Sequence, residues 1–338
     1  FLRKIAKLVH RLICFIVYFS GLYHTISFLK RSKAVIVMYH SVDDGSNPYV
    51  YPDNVVSAEN FESQMEYLSR KKNVISLSEL VRDLSSGSDL PRNAAVITFD
   101  DGYHSFYSTA HPILRRYGVP STLFLITGLL GTCEAKWDDR LAGAINTTPS
   151  RLVTVNLSGK ERTYDLRSQK AKRDCIVELV GILQNLNTED RSKTLLRIER
   201  QLNSRGPEPE RVTLTWDEVS ELAEDSLVSL GSHSHSHENL RRIGPQLAEW
   251  EISKSKEEME HKLGRSCRLF CYPFGKKSSL DEHVKRLLRS HGFLAAVSTI
   301  PGSASKGSDL LELRRIAARD DSSYRFKCSL IGLTLQRG

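Results

Sequence analysis

The chain has 338 residues, of which 40% are hydrophobic and 26% are charged, so it has the composition of a globular protein and not of a disordered one. Its 48 basic and 40 acidic residues give a formal net charge of +8, but residues 1–33 hold seven basic residues and no acidic one. The rest of the chain has 41 basic against 40 acidic residues, and this near-neutral body argues against a nucleic-acid-binding protein.

Residues 1–33 include an apolar and aromatic stretch from Leu12 to Leu29, which has basic residues on both sides. The stretch is shorter than the about 20 apolar residues of a spanning helix, and polar residues interrupt it. Three structures fit it: an interfacial helix with a basic rim, a marginal spanning helix, and a helix packed on the body. We expect the first, which would hold the protein at the anionic surface of the inner (cytoplasmic) membrane. Basic residues at both ends leave the side of the membrane open.

The body alternates short apolar runs with longer helical patterns, which is typical of βα units. The predicted strands are 34–39, 73–77, 94–99, 121–127, 226–230, 268–272 and 294–298. The predicted helices include 57–71, 107–117, 215–224 and 247–262. An α/β fold follows from this order.

The alternation breaks between about residues 146 and 210. Residues 151–157 and 162–166 read as a hairpin around Ser158-Gly159, and two polar helical patterns follow at about 168–185 and 189–203. We interpret this segment, which closes at residues 205–207, as an insertion in the βα fold.

Two adjacent carboxylates, Asp100 and Asp101, end an apolar strand run and precede Gly102. Because neighbouring carboxylates repel each other, burying both is costly unless one binds a cation and the other takes a proton. Taken alone, however, an Asp-Asp-Gly sequence is most often a solvated turn.

Three histidines, His233, His235 and His237, follow the strand predicted at 226–230. Imidazoles at i and i+4 can face the same way on a helical turn and chelate zinc, and those at i and i+2 can do so in an extended chain. A solvated polar loop is the alternative interpretation.

Two weaker features complete the set. Tyr39-His40 ends the first predicted strand, and an aromatic-Pro-aromatic-Gly turn, Tyr272 to Gly275, follows the strand predicted at 268–272. All four features lie at the carboxyl ends of predicted strands, which converge on the active-site face of an α/β barrel. The sequence therefore predicts one site on that face.

The motifs resemble those of the polysaccharide deacetylase (NodB-homology) family, carbohydrate esterase family four. Thr98–Gly102 matches its T-F-D-D-G motif, His233–Leu240 matches H-[ST]-x-x-H-x-x-L, and Pro273–Gly275 matches P-[YF]-G. The resemblance runs from about Val35 to Ile316. It implies a distorted, incomplete (β/α) barrel, which residues 34–145 and 211–338 would form, with the insertion 146–210 at its rim and an apolar, basic helix at the N-terminus.

The resemblance also implies roles for single residues. Asp101, His233 and His237 would bind one divalent metal ion, zinc in most members, and His235 would point elsewhere. Asp100 would be the general base. The backbone N–H of Phe274, in the turn with Tyr272 and Pro273, would bind the oxyanion or the substrate. The implied enzyme is a metal-dependent hydrolase that removes acetyl groups from N-acetylated sugars of a surface or lipid-linked polysaccharide.

The sequence departs from the family in two places. Cys271 stands where many members have an arginine that orients the base, and the late strand from Leu311 to Ile316 lacks the histidine that is often the general acid. The early Tyr39-His40 pair resembles the subgroup similar to poly-N-acetylglucosamine deacetylases, where this histidine can be the acid, so we assign that role to His40. Two alternatives stay open: a degenerate, non-catalytic glycan-binding barrel, and a non-haem iron oxygenase, which also uses two histidines and one carboxylate.

Overall fold

The computed structural model describes residues 2–157, 160–203 and 212–334 of the chain. The strands in this part are β1 (Val35–Tyr39), β2 (Ser41–Val42), β3 (Val55–Val56), β4 (Asn73–Val74), β5 (Ala94–Phe99), β6 (Ser121–Leu125), β7 (Leu152–Leu157), β8 (Lys160–Asp165), β9 (Val228–Ser232), β10 (Leu269–Cys271), β11 (Ala295–Pro301) and β12 (Leu313–Ala317). The helices are α1 (Leu2–Phe19), α2 (Leu22–Leu29), α3 (Ala58–Lys71), α4 (Leu77–Ser86), α5 (His111–Tyr117), α6 (Trp137–Thr147), α7 (Gln169–Leu183), α8 (Thr188–Gln201), α9 (Trp216–Ala223), α10 (Pro245–Leu263), α11 (Glu282–Ser290) and α12 (Ser323–Leu330).

Seven parallel strands close into a barrel in the order β1–β12–β11–β10–β9–β6–β5, and β5 pairs with β1 to complete the ring. The two-residue strand β4 adds to the edge of β5. Strands β1, β5 and β6 are buried along their whole length, as expected for parallel strands that are covered by helices on one side and core on the other. The predicted (β/α) barrel is confirmed.

Helix capping explains one of the differences between the predicted and the observed elements. The strand predicted at 73–77 is only two residues long, because Ser76 and Glu79 form a capping box that begins α4. By contrast, Thr215 and Glu218 form the capping box that the sequence suggests for α9. The strand predicted at 226–230 lies two residues later, and β9 therefore leads directly into His233.

The segment 146–210 contains an antiparallel hairpin, β7–β8, and the helices α7 and α8. These elements share an apolar cluster with α6, which begins at Trp137 and so crosses the predicted boundary at 146. Ser158, Gly159 and residues 205–207 lie outside the described residues. The division of the chain at 146 and 210 stays a prediction.

The N-terminal segment forms two helices, and the Leu8–Phe19 part of α1 meets α2 at an angle of 86°. One side packs on the body: Cys14 and Tyr23 are buried, and the Tyr23 hydroxyl lies 2.6 Å from that of Tyr67. The other side exposes large apolar side chains, among them Leu8, Leu12, Phe15, Ile16 and Phe19. Within the described residues, no helix is by itself long and apolar enough to cross a bilayer, and only the bent pair together meets that length and composition.

Candidate active site

The polar residues singled out in the sequence meet at the carboxyl ends of the barrel strands. His40 follows β1, the two aspartates follow β5, the histidines follow β9, and Phe274 lies in the turn after β10. All of these residues except His235 line a cavity of about 720 Å³, which is a typical size for a ligand pocket. The convergence expected from a parallel barrel therefore holds for these four strands.

Three ligand atoms point at one another on one side of the cavity. Oδ1 of Asp101 lies 3.3 Å from Nε2 of His233 and 3.6 Å from Nε2 of His237. Oδ1 of Asp101 is buried and has no hydrogen-bond partner. Two imidazoles and one carboxylate oxygen with nothing else to bind are a suitable donor set for a divalent metal with open coordination positions, so the residues fit such an ion.

A second set, Asp100, His233 and Cys271, also brings three possible ligand atoms together. Both oxygens of Asp100, however, accept hydrogen bonds from Arg315. The set with Asp101 is therefore the better candidate for the metal.

The backbone is strained where it presents these groups. Asp101, Ser234, His237 and Phe274 have φ between +62° and +76°, in the left-handed region that non-glycine residues rarely adopt. Each such residue costs about 1–3 kcal/mol, and this strain concentrates at functional sites. Gly275 follows with φ +60°, and a Cβ there would lie 2.7 Å from the Thr299 nitrogen, so the turn after β10 requires glycine.

Hydrogen bonds hold the His233 ring and the backbone of His237. Nδ1–H of His233 donates to the Cys271 carbonyl oxygen at 2.8 Å, which aims Nε2 at Asp101. The His237 backbone N–H donates to Ser234 Oγ at 3.0 Å. Burial, and next the charge of His233, lower the pKa of His237 well below its usual value.

His235 points away from the metal set. Its Nδ1 lies 3.1 Å from Glu258 Oε2, and its ring packs edge-on against Trp250 with centroids 4.9 Å apart. Glu251, which is buried, holds the loop by accepting the backbone N–H groups of His235 and Ser236 at 3.0 and 2.8 Å. No sequence signal distinguished Glu251 from the other acids of α10.

Asp100 is paired with Arg315, a residue for which the sequence predicted no such role. Nη1 and Nη2 of Arg315, on β12, donate to its two oxygens at 2.7 Å each, and Arg315 is itself fully buried. Nη2 also lies 3.2 Å from the Sγ atom of Cys271. The guanidinium thus reaches Asp100 from β12 and passes beside Cys271.

The ion pair sets the charge of Asp100. Burial alone would raise the pKa of this carboxyl, but the Arg315 charge and hydrogen bonds outweigh burial and lower it below its usual value. Asp100 is therefore ionised at neutral pH. Arg315 is one of two adjacent arginines on β12, and only the fold shows that Arg314 is exposed and Arg315 buried, so the sequence held no signal that singled out this pair.

His40 lies on the base side of the cavity. Its Nε2 atom is 4.0 Å from Oδ2 of Asp100, and its side chain is 15% exposed. The ring therefore reaches both the carboxylate and the open space where a substrate would lie.

Lys136 is the second residue of the site that the sequence did not reveal. Its Nζ lies 2.9 Å from Oδ2 of Asp101 and 3.4 Å from Oδ1 of Asp138, and the side chain is buried. Burial would raise the pKa of Asp101, yet Lys136 and then the histidines lower it well below its usual value. Lys136 thus occupies one oxygen of Asp101 and leaves the other for the metal. It lies just before α6, far from any predicted strand end.

The turn after β10 forms an aromatic wall. The Phe274 ring stacks on His237 with centroids 5.4 Å apart and on Trp137 at 6.4 Å. The hydroxyl of Tyr272 donates to the Leu311 carbonyl at 2.8 Å, and the carbonyl of Pro273 accepts the Gly275 N–H. Tyr272 and Pro273 therefore shape the turn, and Phe274 faces the metal ligands.

The sequence model of the polysaccharide deacetylase family matches residues 87–161 and 178–296, more than half of the chain. The chain belongs to this family. The YxkH protein of Bacillus subtilis is 20% identical over 288 residues, which are 85% of this chain and 72% of that protein. A Staphylococcus aureus poly-β-1,6-N-acetyl-D-glucosamine N-deacetylase is 32% identical over 113 residues, but the match spans only 30% of this chain and 39% of that protein.

Solved structures of deacetylases share the fold. The deacetylase PplD of Streptococcus pyogenes, in complex with acetate, has a TM-score of 0.59 at 19% identity over 88% of this chain and 98% of its own. IcaB of Ammonifex degensii has a TM-score of 0.57 at 17% identity over 89% of this chain and 97% of its own. The family expected from the motifs is confirmed, and so is the expected enzyme class, a deacetylase.

Proposed function

We propose that this protein is a metal-dependent deacetylase that frees the amino group of N-acetylglucosamine residues in a surface or lipid-linked glycan, while residues 1–33 hold it at an anionic membrane surface. The observation that carries the proposal is the juxtaposition of two carboxylates with different surroundings. Asp101 faces two histidines with an unpartnered oxygen, and Asp100 lies beside it, fully ion-paired.

The residues around Asp101 would bind the metal ion and polarise the carbonyl group of the substrate. Asp101, His233 and His237 would hold a divalent ion, for which zinc is the best match to this donor set, and the bound ion would supply a Lewis acid and lower the pKa of a bound water to about 7. Lys136 holds the second oxygen of Asp101 and so fixes the direction of the first. The Phe274 backbone N–H, in the strained turn beside His237, is the donor that we assign to the carbonyl oxygen as it becomes negative.

The base side would move protons. Asp100, ionised by its pairing with Arg315, accepts a proton from the attacking water. His40, which lies 4.0 Å from Asp100, gives a proton to the leaving nitrogen as the carbon–nitrogen bond breaks. The products are acetate and a free amino sugar.

The structure offers an argument against each of the two alternative functions. A non-catalytic glycan-binding barrel was open because the orienting arginine was missing from its usual place, and Arg315 supplies an equivalent contact. A non-haem iron oxygenase has no use for an ionised carboxylate next to its metal ligands. The name of the Staphylococcus aureus relative supports N-acetylglucosamine as the sugar.

The chemical proposal is tested by acetate release from N-acetylated glucosamine oligomers, with the metal-loaded protein and after treatment with a chelator. We expect release that stops with the chelator and returns when zinc is added. Metal-loaded, folded protein that releases no acetate from any chain length would contradict the proposal.

The membrane part of the proposal rests on the exposed side of α1 and on charge. Leu12, Ile16 and Phe19 are each more than half exposed on one helix, and residues 1–33 contain seven basic side chains and no acidic one. Apolar burial and attraction to anionic lipid act together in such a segment, and each basic residue near the surface adds about 1 kcal/mol.

Co-sedimentation with anionic liposomes tests this part in the full-length chain. Leu12→Glu combined with Ile16→Glu should move the protein to the supernatant, because the side chains point away from the body. Leu247→Glu is the matched control, since Leu247 is similarly exposed on α10. If the unaltered protein stays in the supernatant, the membrane assignment is wrong. If it resists high salt and alkaline extraction, the segment spans the membrane.

A further inference from the structure

The two histidines of the proposed metal site are held in different ways. A histidine that binds a metal through one ring nitrogen usually donates a hydrogen bond from the other, and this bond orients the ring. His233 follows the rule, because its Nδ1 lies 2.8 Å from the Cys271 carbonyl oxygen. His237 does not, since its Nδ1 is buried and has no hydrogen-bond partner among the described residues. Another contact must therefore orient the His237 ring.

Aromatic stacking supplies that contact. The Phe274 ring lies against the His237 ring, with centroids 5.4 Å apart and planes 30° from parallel. The Phe274 ring also stacks on Trp137, with centroids 6.4 Å apart and planes 18° from parallel. These three rings, which we call the ring stack, connect the metal ligand with the first residue of α6.

The segment 146–210 contacts the far end of the ring stack. Arg191, on α8, places its guanidinium carbon 5.2 Å from the centre of the Trp137 ring, which is a cation–π distance. The Arg191 side chain is buried and does not line the catalytic cavity. Any effect of Arg191 on the site therefore passes through the residues that it contacts.

The same guanidinium also holds the loop that carries the metal ligand. Nη2 of Arg191 donates to the two carboxylate oxygens of Glu238 at 2.9 and 2.8 Å. The hydroxyl of Thr188, also on α8, donates to Oε2 of Glu238 at 2.7 Å. Glu238 directly follows His237 in the chain. One arginine thus contacts both the ring stack and the loop, and the contacts form a closed circuit that passes through His237.

We infer that Arg191 is a positioning residue of the metal site, which fixes the His237 ring through the ring stack and the His237 backbone through Glu238. The inference rests on the metal site of the proposed function and adds to it a residue from the segment 146–210. In this arrangement the ring stack takes the place of the hydrogen bond that orients His233. The segment then completes the metal site without touching the metal or the substrate.

The test measures the metal site itself. The full-length protein is stripped of metal and titrated with zinc in competition with a chromophoric chelator, and a second sample is loaded with cobalt(II), whose visible spectrum reports the geometry of the ligands. Loss of an outer-shell partner typically weakens metal binding about 10–100-fold. Arg191→Met should therefore raise the Kd for zinc at least about tenfold and change the cobalt spectrum.

Arg140→Met is the matched control. Arg140 also joins α6 to α8, because its guanidinium donates to the two oxygens of Glu199 at 3.0 and 2.8 Å. It pairs with a different acid, however, and is not part of the ring stack. This variant should keep the zinc Kd and the cobalt spectrum of the unaltered protein, even where it melts earlier.

Two substitutions of Trp137 keep the inference testable if Arg191→Met does not fold. Trp137→Phe leaves an aromatic ring beside Phe274 and should bind zinc nearly as tightly as the unaltered protein. Trp137→Leu removes the ring and should weaken zinc binding in the same way as Arg191→Met.

The outcomes separate this inference from the proposed function. If Arg191→Met or Trp137→Leu melts earlier with an unchanged zinc Kd and cobalt spectrum, the inference is wrong, and Arg191 only stabilises the segment 146–210. An equal loss of zinc affinity in Arg140→Met would also overturn it, because any loosening between α6 and α8 would then have the same effect. An unaltered protein that binds neither zinc nor cobalt would instead contradict the metal site of the proposed function, and this inference with it.

Discussion

Asp100 and Asp101 are neighbours in the sequence and are equally buried, yet their carboxylates meet opposite surroundings. On the base side, the planar guanidinium of Arg315 occupies both oxygens of Asp100. On the metal side, Lys136 occupies one oxygen of Asp101, and the other faces His233 and His237 without a hydrogen-bond partner. Two adjacent carboxylates therefore differ through the cations beside them, which the barrel supplies from distant parts of the chain.

The backbone makes the separation possible. With φ at +76°, Asp101 lies in the left-handed region, whereas the chain up to Phe99 is regular β5 strand. This change of direction sends the second carboxylate towards the histidine loop, and the first stays under β12. The lesson is that like charges can be buried side by side when each has its own counter-charge.

The largest loss of turnover is expected from substitutions of the proposed metal ligands. Asp101→Asn or His233→Ala should empty the metal site, and turnover should fall by more than the about 10–100-fold typical for loss of an outer-shell partner. Metal content by atomic emission, from about one ion per chain to none, checks this directly. His235→Ala is the control, since that ring faces Glu258 and Trp250. If His235→Ala empties the site and His237→Ala does not, the assignment of ligands is wrong.

The second prediction separates the two carboxylates. Asp100→Asn should retain the metal, because the ligands are on the other side, and should lose at least about 10²-fold in kcat, the low end for a general base. Metal content and single-turnover acetate release on the same sample provide the measurement. A filled site with undiminished turnover would remove Asp100 from the mechanism.

The comparison also marks what the sequence could predict. The site residues that follow β5 and β9 could be predicted because several polar features lie at the carboxyl ends of predicted strands, which converge on one face of a parallel barrel. The parallel barrel could also be predicted, from the alternation of buried strands and helices. The strand at 73–77 failed because a capping box, a local interaction, outweighs β-propensity there.

The two basic residues that pair with these carboxylates could not be predicted from the sequence. Arg315 and Lys136 are single basic residues among 48, and each meets its carboxylate only through the closed barrel or the loop before α6. A sequence pattern carries no information on pairings across such separations, since they depend on three-dimensional register. The general acid stays a prediction for a related reason: the distance of 4.0 Å from His40 to Asp100 permits the role without requiring it.

The third prediction concerns His40. His40→Ala should lower kcat about 10²-fold for an acetamide, since an amine leaves only when protonated, and less than about tenfold for an activated aryl acetate. The ratio of the two kcat values is the measurement, at constant metal content. Equal losses on both substrates would give His40 a packing role and leave the acid to be found elsewhere.

The smallest effect on turnover at neutral pH is expected for Arg315, which acts through Asp100. A nearby opposite charge lowers a carboxyl pKa by about 1–3 units. The guanidinium is the largest contribution that opposes burial, so the pKa of Asp100 rises when it is removed in Arg315→Met. The base must be ionised to work. The acid limb of the kcat profile should therefore move to higher pH by a similar amount, and kcat near pH 8 should change about tenfold or less.

A stabilising role alone would give a different result. Removing one partner of a buried ion pair costs about 3–5 kcal/mol in the free energy of unfolding, so Arg315→Met should also melt earlier. In the unaltered protein the depressed pKa of Asp100 contributes stability above its unfolded pKa, and this is lost as the pH falls through the folded value. Arg315→Lys keeps the charge without the two-pronged contact. In this variant the acid limb of the kcat profile should stay close to its original pH, and part of the stability should be lost. If both variants melt early with an unmoved acid limb, Arg315 stabilises the barrel and does not tune the base.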